Sequence, residues 1–92
     1  MVMSEGGRLV ARTLHELGVT DIFSLAAGHI TPDIKASPDI GIRIIATRHE
    51  QGASMAAAAY GRAGRRPGVC LVTAGPGFTN TLTGMAASRL AT

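Results

Sequence analysis

A carboxylate at the head of an alanine-rich helix is the group in this chain best suited to chemistry. It is Glu50, in His49-Glu50-Gln51-Gly52-Ala53. A second segment, Thr73-Ala74-Gly75-Pro76-Gly77-Phe78-Thr79-Asn80, reads as a strand-to-helix turn whose glycines expose backbone N–H groups. A carboxyl group can share a proton with a weakly basic partner. Burial raises its pKa toward the range needed, while a helix N-terminus opposes the rise. The plain structural use of Glu50 is a capping box with Thr47, three residues earlier, supported by the helix dipole. The two uses are compatible, since one oxygen can serve each.

The glycine turn suggests phosphate binding at a helix start. Yet Asn80 stands where the third glycine of Gly-x-Gly-x-x-Gly would be, and no Gly-Lys-Ser/Thr follows. Its structural reading is a tight turn capped by Thr79 or Asn80. A third candidate is the loop Leu25-Ala26-Ala27-Gly28-His29-Ile30-Thr31-Pro32. His29 has the right chemistry for proton transfer near neutral pH, but a lone loop histidine is usually solvated. Cys70, within Val69-Cys70-Leu71-Val72, reads as a small core residue of a buried strand rather than a nucleophile.

The elements that position these residues alternate. Ser4 can cap a helix from about 5 to 17, with Leu9, Val10, Thr13, Leu14 and Leu17 on one face and Gly18 ending it. Residues 22–25 read as a strand. Thr31-Pro32 then reads as an N-cap and first helical residue, in a short helix ending near Ser37-Pro38. A strand at 42–46 leads to a helix at 49–63, with Gly64 beyond its end. A strand at 69–73 leads to a last helix at 79–90. Short, nearly all-apolar strands alternating with helices predict an α/β fold: parallel βαβ units in a three-layer arrangement, both sheet faces covered. Three parallel strands are few for a finished domain, and the last helix should cross back to a further strand.

Arg48-His49-Glu50-Gln51, followed by Gly75-Pro76-Gly77-Phe78-Thr79-Asn80 at this spacing and in this order, resembles the pyrimidine-binding domain of thiamine-diphosphate enzymes of the acetolactate synthase type. The resemblance covers nearly the whole chain, and its loop at Gly28 is most like the branch that includes 2-hydroxyacyl-CoA lyases. It implies a flavodoxin-like fold and thiamine diphosphate as cofactor. It implies that Glu50 hydrogen-bonds to N1′ of the aminopyrimidine and promotes the imino form, whose N4′ removes the C2 proton. It places Gly28, Pro76 and Asn80 beside that end of the cofactor. The diphosphate and its magnesium are implied to sit on a later domain, through a Gly-Asp-Gly motif absent from this sequence.

The resemblance further implies a parent enzyme that makes or breaks a carbon–carbon bond next to a carbonyl, acting on a 2-oxo acid or a 2-hydroxyacyl thioester. The implied partners are its own C-terminal domains and a second subunit of a homo-oligomer. Residues 1–92 would then be an incomplete N-terminal portion of one domain, binding cofactor weakly alone. The alternative is a non-catalytic fragment with only a structural or association role. One departure touches substrate assignment: where many members have Ala-Asp-Gly-Tyr-Ala-Arg, this chain has Ala57-Ala58-Ala59-Tyr60-Gly61-Arg62.

With 92 residues the chain makes at most one small domain. After Glu50 there is no acidic residue, while Arg62, Arg65, Arg66 and Arg89 remain. That asymmetry does not make a nucleic-acid surface: no basic run exceeds two residues and no aromatics interleave with the arginines. A single cysteine excludes an internal disulfide. There is no charged-then-apolar leader and no membrane-length apolar stretch, so the expected location is the reducing cytoplasm.

Overall fold

The computed structural model describes residues 2–91, and the side chains of residues 6–28 and 30–90. Its elements are α1 (Val2–Glu16), β1 (Asp21–Ser24), α2 (Thr31–Ile40), β2 (Arg43–Ala46), α3 (Glu50–Gly64), β3 (Val69–Leu71), α4 (Pro76–Thr79) and α5 (Leu82–Ala91). A 3₁₀ turn at Gly28–Ile30 precedes α2. The strands form one parallel sheet in the order β2-β1-β3. Ile22 lies opposite Ile44 and Val69, and Ser24 opposite Ala46 and Leu71. The chain is thus α/β with a parallel sheet, as its alternating pattern predicts.

Strand order explains the layers. The chain leaves β1 through α2 to reach one edge, then returns through α3 past β1 to the other edge. Right-handed crossovers in opposite directions put α2 and α3 on opposite faces. Accordingly α1 packs on α2, while α5 packs on α3. Central β1 is covered on both sides, so Ile22, Phe23 and Ser24 are all buried. Ser24 tolerates burial because its Oγ donates to the Leu71 carbonyl across the sheet at 2.7 Å.

The core beneath α3 joins Phe23 to Ala53 and Ala57, with Ile45, Ala56, Tyr60 and Cys70 against them. Phe23 and Tyr60 meet edge-to-face, with ring centroids 5.7 Å apart. Alanines on α3 let backbones approach: a Cβ on Gly68 would collide with the Ala57 carbonyl. The far end of the sheet is tied by Asp21. Its Oδ1 accepts from Arg43 Nε at 2.7 Å, and its Oδ2 from Thr20 Oγ1 at 2.9 Å and Tyr60 OH at 3.4 Å. The Arg43 hydrogen bond is the main reason that the Asp21 carboxyl sits below its ordinary pKa.

Several local expectations are corrected. Ser4 is already helical, so it does not cap α1; its side chain lies outside the described residues. The face of α1 turned inward is Gly7 and Ala11, with Leu14 half-buried, whereas Leu9 and Leu17 are 65% and 75% exposed. Close approach decides this: a Cβ on Gly7 would lie 2.5 Å from the Pro32 carbonyl carbon, so larger residues cannot take the inner face. Helix α2 runs past Pro38 to Ile40. Proline removes one ladder bond, but the Gly41 N–H, at φ 104°, reaches the Pro38 and Ser37 carbonyls and closes the last turn. Its N-cap is Ile30, not Thr31, whose Oγ1 donates back to the Ala27 carbonyl. Helix α3 includes Gly64, and Arg65 takes the left-handed closing position at φ 54°.

Candidate functional site

The site is built where β2 and β3 end. Beyond β2, the Thr47 backbone N–H donates to the Ser24 carbonyl at 2.9 Å, stitching this loop to the end of β1. Thr47 Oγ1 donates to the same carbonyl at 3.4 Å and to the His49 carbonyl at 3.1 Å. The N-cap of α3 is therefore not Thr47. It is His49, with extended backbone, whose Nδ1 accepts from the Gln51 N–H at 3.0 Å. The Thr47–Glu50 capping box predicted from sequence does not form, because the Thr47 N–H that Glu50 would accept is already spent on Ser24.

Glu50 is thus the first residue of α3, and its carboxylate does not reach back to the Thr47 N–H. Its Oε1 accepts from Asn80 Nδ2 at 3.2 Å. Its own backbone N–H, then the Asn80 amide, then the neighbouring His49 hold its carboxyl below the ordinary glutamate pKa. The sequence expectation set burial against the helix start. In this chain hydrogen bonding wins, because the side chain is only half-buried.

Asn80 reaches Glu50 because the last helical segment is broken, not continuous from 79 to 90 as its sequence suggests. Gly75, at φ 69°, turns the chain after β3, and Pro76 opens the single turn of α4. Gly77 is buried against Thr73, where a Cβ would come within 2.7 Å of the threonine methyl. The Asn80 N–H donates to the Pro76 carbonyl at 2.9 Å, and Thr81 Oγ1 to the Phe78 carbonyl at 2.6 Å. Ser54 Oγ then donates to the Thr81 carbonyl at 3.0 Å, pinning the break against α3. Thr79 does not cap the following helix: its Oγ1 bonds back to the Gly75 and Pro76 carbonyls.

Of the sequence-predicted site residues, the structure joins Glu50 to Asn80 and places Pro76 in the same turn as Asn80. Gly28 opens the 3₁₀ turn after β1, its carbonyl accepting from the Thr31 N–H. It shares the C-terminal edge of the sheet with the others, but no described hydrogen bond links it to them. In open α/β sheets ligands bind outside the carboxyl ends of strands, where successive connections diverge. The loops after β1 and β3, carrying Gly28 and Pro76, flank such a point. The side chain of His29 lies outside the described residues.

Sequence reasoning missed the His49 cap and the Ser54–Thr81 bond. The first had a signal, since an imidazole nitrogen can accept from an N–H two residues on. The second had none, because 27 residues separate its ends. A separate, mostly apolar groove between α3, α5 and β3 is lined by Ala57, Cys70, Gly84 and Met85 and rimmed by Arg62 and Arg65; none of the predicted site residues lines it. Burial, and to a lesser degree Glu50, push the Cys70 thiol up.

Residues 4–92 match the family described as thiamine pyrophosphate enzyme, N-terminal TPP binding domain. Over 83 residues the chain is 45% identical to a probable acetolactate synthase of Mycobacterium bovis, covering 90% of this chain and 15% of that protein. It is 46% identical over 86 residues to human 2-hydroxyacyl-CoA lyase 2, covering 94% of this chain and 14% of the lyase. It is 44% identical over 85 residues to the large subunit of acetolactate synthase isozyme 2 of Escherichia coli, covering 92% of this chain and 16% of that subunit. The chain therefore spans no more than 16% of the length of these three relatives.

Proposed function

Because this chain belongs to the thiamine pyrophosphate enzymes, matching their N-terminal TPP binding domain, we propose that its Glu50 engages the pyrimidine end of thiamine diphosphate in an enzyme that makes or breaks a carbon–carbon bond next to a carbonyl. The observation that carries this reading is that the Glu50 carboxylate, held by Asn80, keeps acceptor sites to spare. A carboxylate offers about four lone-pair sites. The described bonds, from Asn80 and from Glu50's own N–H, use two. A ring nitrogen that carries the shared proton can donate to another, so the residues present fit the group.

Thiamine diphosphate, when bound, supplies the electron sink for bond cleavage or formation beside a carbonyl. The work of this chain is narrower. Glu50 holds or releases a proton at the pyrimidine N1′, as a general acid–base partner. The turn at Gly75–Pro76 and the loop at Gly28 border the same end of the cofactor. Closure of the site by a partner surface would raise the Glu50 pKa from its depressed value toward that of a ring nitrogen, by removing water from the carboxylate. That surface is assigned to later domains and a second subunit of a homo-oligomer. The same later domains are assigned the diphosphate and magnesium.

The substrate class is a 2-oxo acid or a 2-hydroxyacyl thioester, supported by relatives named acetolactate synthase and 2-hydroxyacyl-CoA lyase. The assignment to the reducing cytoplasm rests on the single, half-buried Cys70. The test is Glu50→Gln in the complete enzyme, read by deuterium exchange at C2 of bound cofactor. Slowing on the order of 10²–10⁴-fold is expected for loss of an acid–base partner. A second reading, association alone, is favoured by the exposed Phe78, Leu82 and Met85 on α4 and α5. Unchanged exchange in the Gln variant selects it.

A further inference from the structure

Resting on the proposed role of Glu50, we propose that Asn80 is a positioning residue, whose side-chain amide fixes the Glu50 carboxylate by holding Oε1. Asn80 Nδ2 lies 3.2 Å from Glu50 Oε1. A carboxylate only accepts, so the amide must present its nitrogen and not its oxygen to it. The two residues are 30 apart in sequence and follow opposite edge strands, β2 and β3. The bond therefore spans the end of β1 and couples the two loops that flank the site.

A glutamate side chain at a helix start has three rotatable torsions, and this amide is the described side-chain hydrogen bond that reaches its Oε1 from another element. Without the bond the carboxylate would sample several rotamers, and its second oxygen would not be presented in one direction. The Asn80 side chain is in turn held from behind. The α4–α5 break that aims it is locked by Thr81 on Phe78 and by Ser54 on Thr81. The amide also stabilises the charged carboxylate, which agrees with its place among the causes of the lowered Glu50 pKa. The other titratable groups acting on Glu50 are His49, next along the chain, and Cys70 on β3.

The test uses the complete enzyme and the pH dependence of C2–H exchange in bound cofactor. Asn80→Ala removes the donor, so the apparent pKa assigned to Glu50 rises through loss of one hydrogen bond to the charged carboxylate. Asn80→Asp, of the same shape, sets a second carboxylate beside the first and raises that pKa further. Cofactor affinity changes little in Asn80→Ala, and in a Glu50→Gln background Asn80→Ala adds no further loss of rate. If Asn80→Ala does not fold, Asn80→Asp gives the same readout. A pH profile that stays in place while Glu50→Gln slows exchange overturns the inference. So does weakened cofactor binding with an unmoved profile, which would make Asn80 a direct ligand. Normal exchange in Glu50→Gln alone overturns the reading beneath it, and this inference with it.

Discussion

Ser54, buried in α3, donates its hydroxyl to the carbonyl of Thr81 at 3.0 Å, at the point where the last helical segment breaks. This bond connects a core position to the geometry of the site, because the break is what turns Asn80 toward Glu50. Ser54→Ala leaves the buried carbonyl without its hydroxyl partner and should cost about 1–2 kcal/mol in the complete protein. Gly84→Ala should cost more, since the added Cβ collides with the Ser54 side chain and lies 3.0 Å from the Met55 nitrogen. Urea unfolding of the two variants ranks them; equal stability to wild type in Gly84→Ala would mean that α3 and α5 are not in this close contact.

The N-cap of α3 separates His49 from Thr47. His49→Ala removes the acceptor for the Gln51 N–H and should destabilise by about 1 kcal/mol, whereas His49→Asn or His49→Ser should recover much of it. Were Thr47 the cap, Thr47→Ala would be the more damaging of the two alanine variants. Thermal melts of all four decide which residue closes the helix start.

Acid should loosen the sheet end held by Asp21. Its folded-state pKa is lowered, so the stabilisation is fully present above the ordinary carboxylate value and is lost as pH falls through the depressed one. The Asp21 side chain is 12% exposed while its Arg43 partner is 74% exposed, so salt screens the pair only partly. Asp21→Asn should therefore be less stable than wild type at neutral pH, with the gap narrowing below about pH 4. A gap that stays constant down to pH 2 would show that ionisation of Asp21 contributes nothing.

Residues 1–92 expressed alone should not behave as a stable monomer. Strand β3 has one unpaired edge, and Phe78, Leu82, Met85 and Leu90 are exposed. Oligomers or aggregates are the expected outcome in light scattering, with weak or absent thiamine diphosphate binding by calorimetry. A monomer with a sharp, concentration-independent melt contradicts the first statement. Micromolar cofactor affinity contradicts the second, and would place a phosphate site within this chain.

The alternation of elements, the parallel sheet and the candidate carboxylate are all legible in the residue order. Strand and helix signals are local: β-branched runs at 42–46, glycine at 18, the Gly75-Pro76-Gly77 turn. Each acts within a few residues, so periodicity and turn chemistry suffice to find it. The resemblance carried by Arg48-His49-Glu50-Gln51 and Gly75-Pro76-Gly77 is likewise written in spacing. What only the tertiary structure decides is which groups spend their hydrogen bonds on which partners. Thr47 looks like a cap until its N–H is seen to belong to Ser24, on another strand. The apolar stripe of α1 looks like the inner face until Gly7 and Ala11 are found against α2, where only small residues permit the approach. The long last helix looks continuous until Ser54, 27 residues before Thr81, fixes the break. In each case a contact between distant residues outweighs a local preference worth about 1 kcal/mol or less, and such contacts have no signature within a local window of sequence.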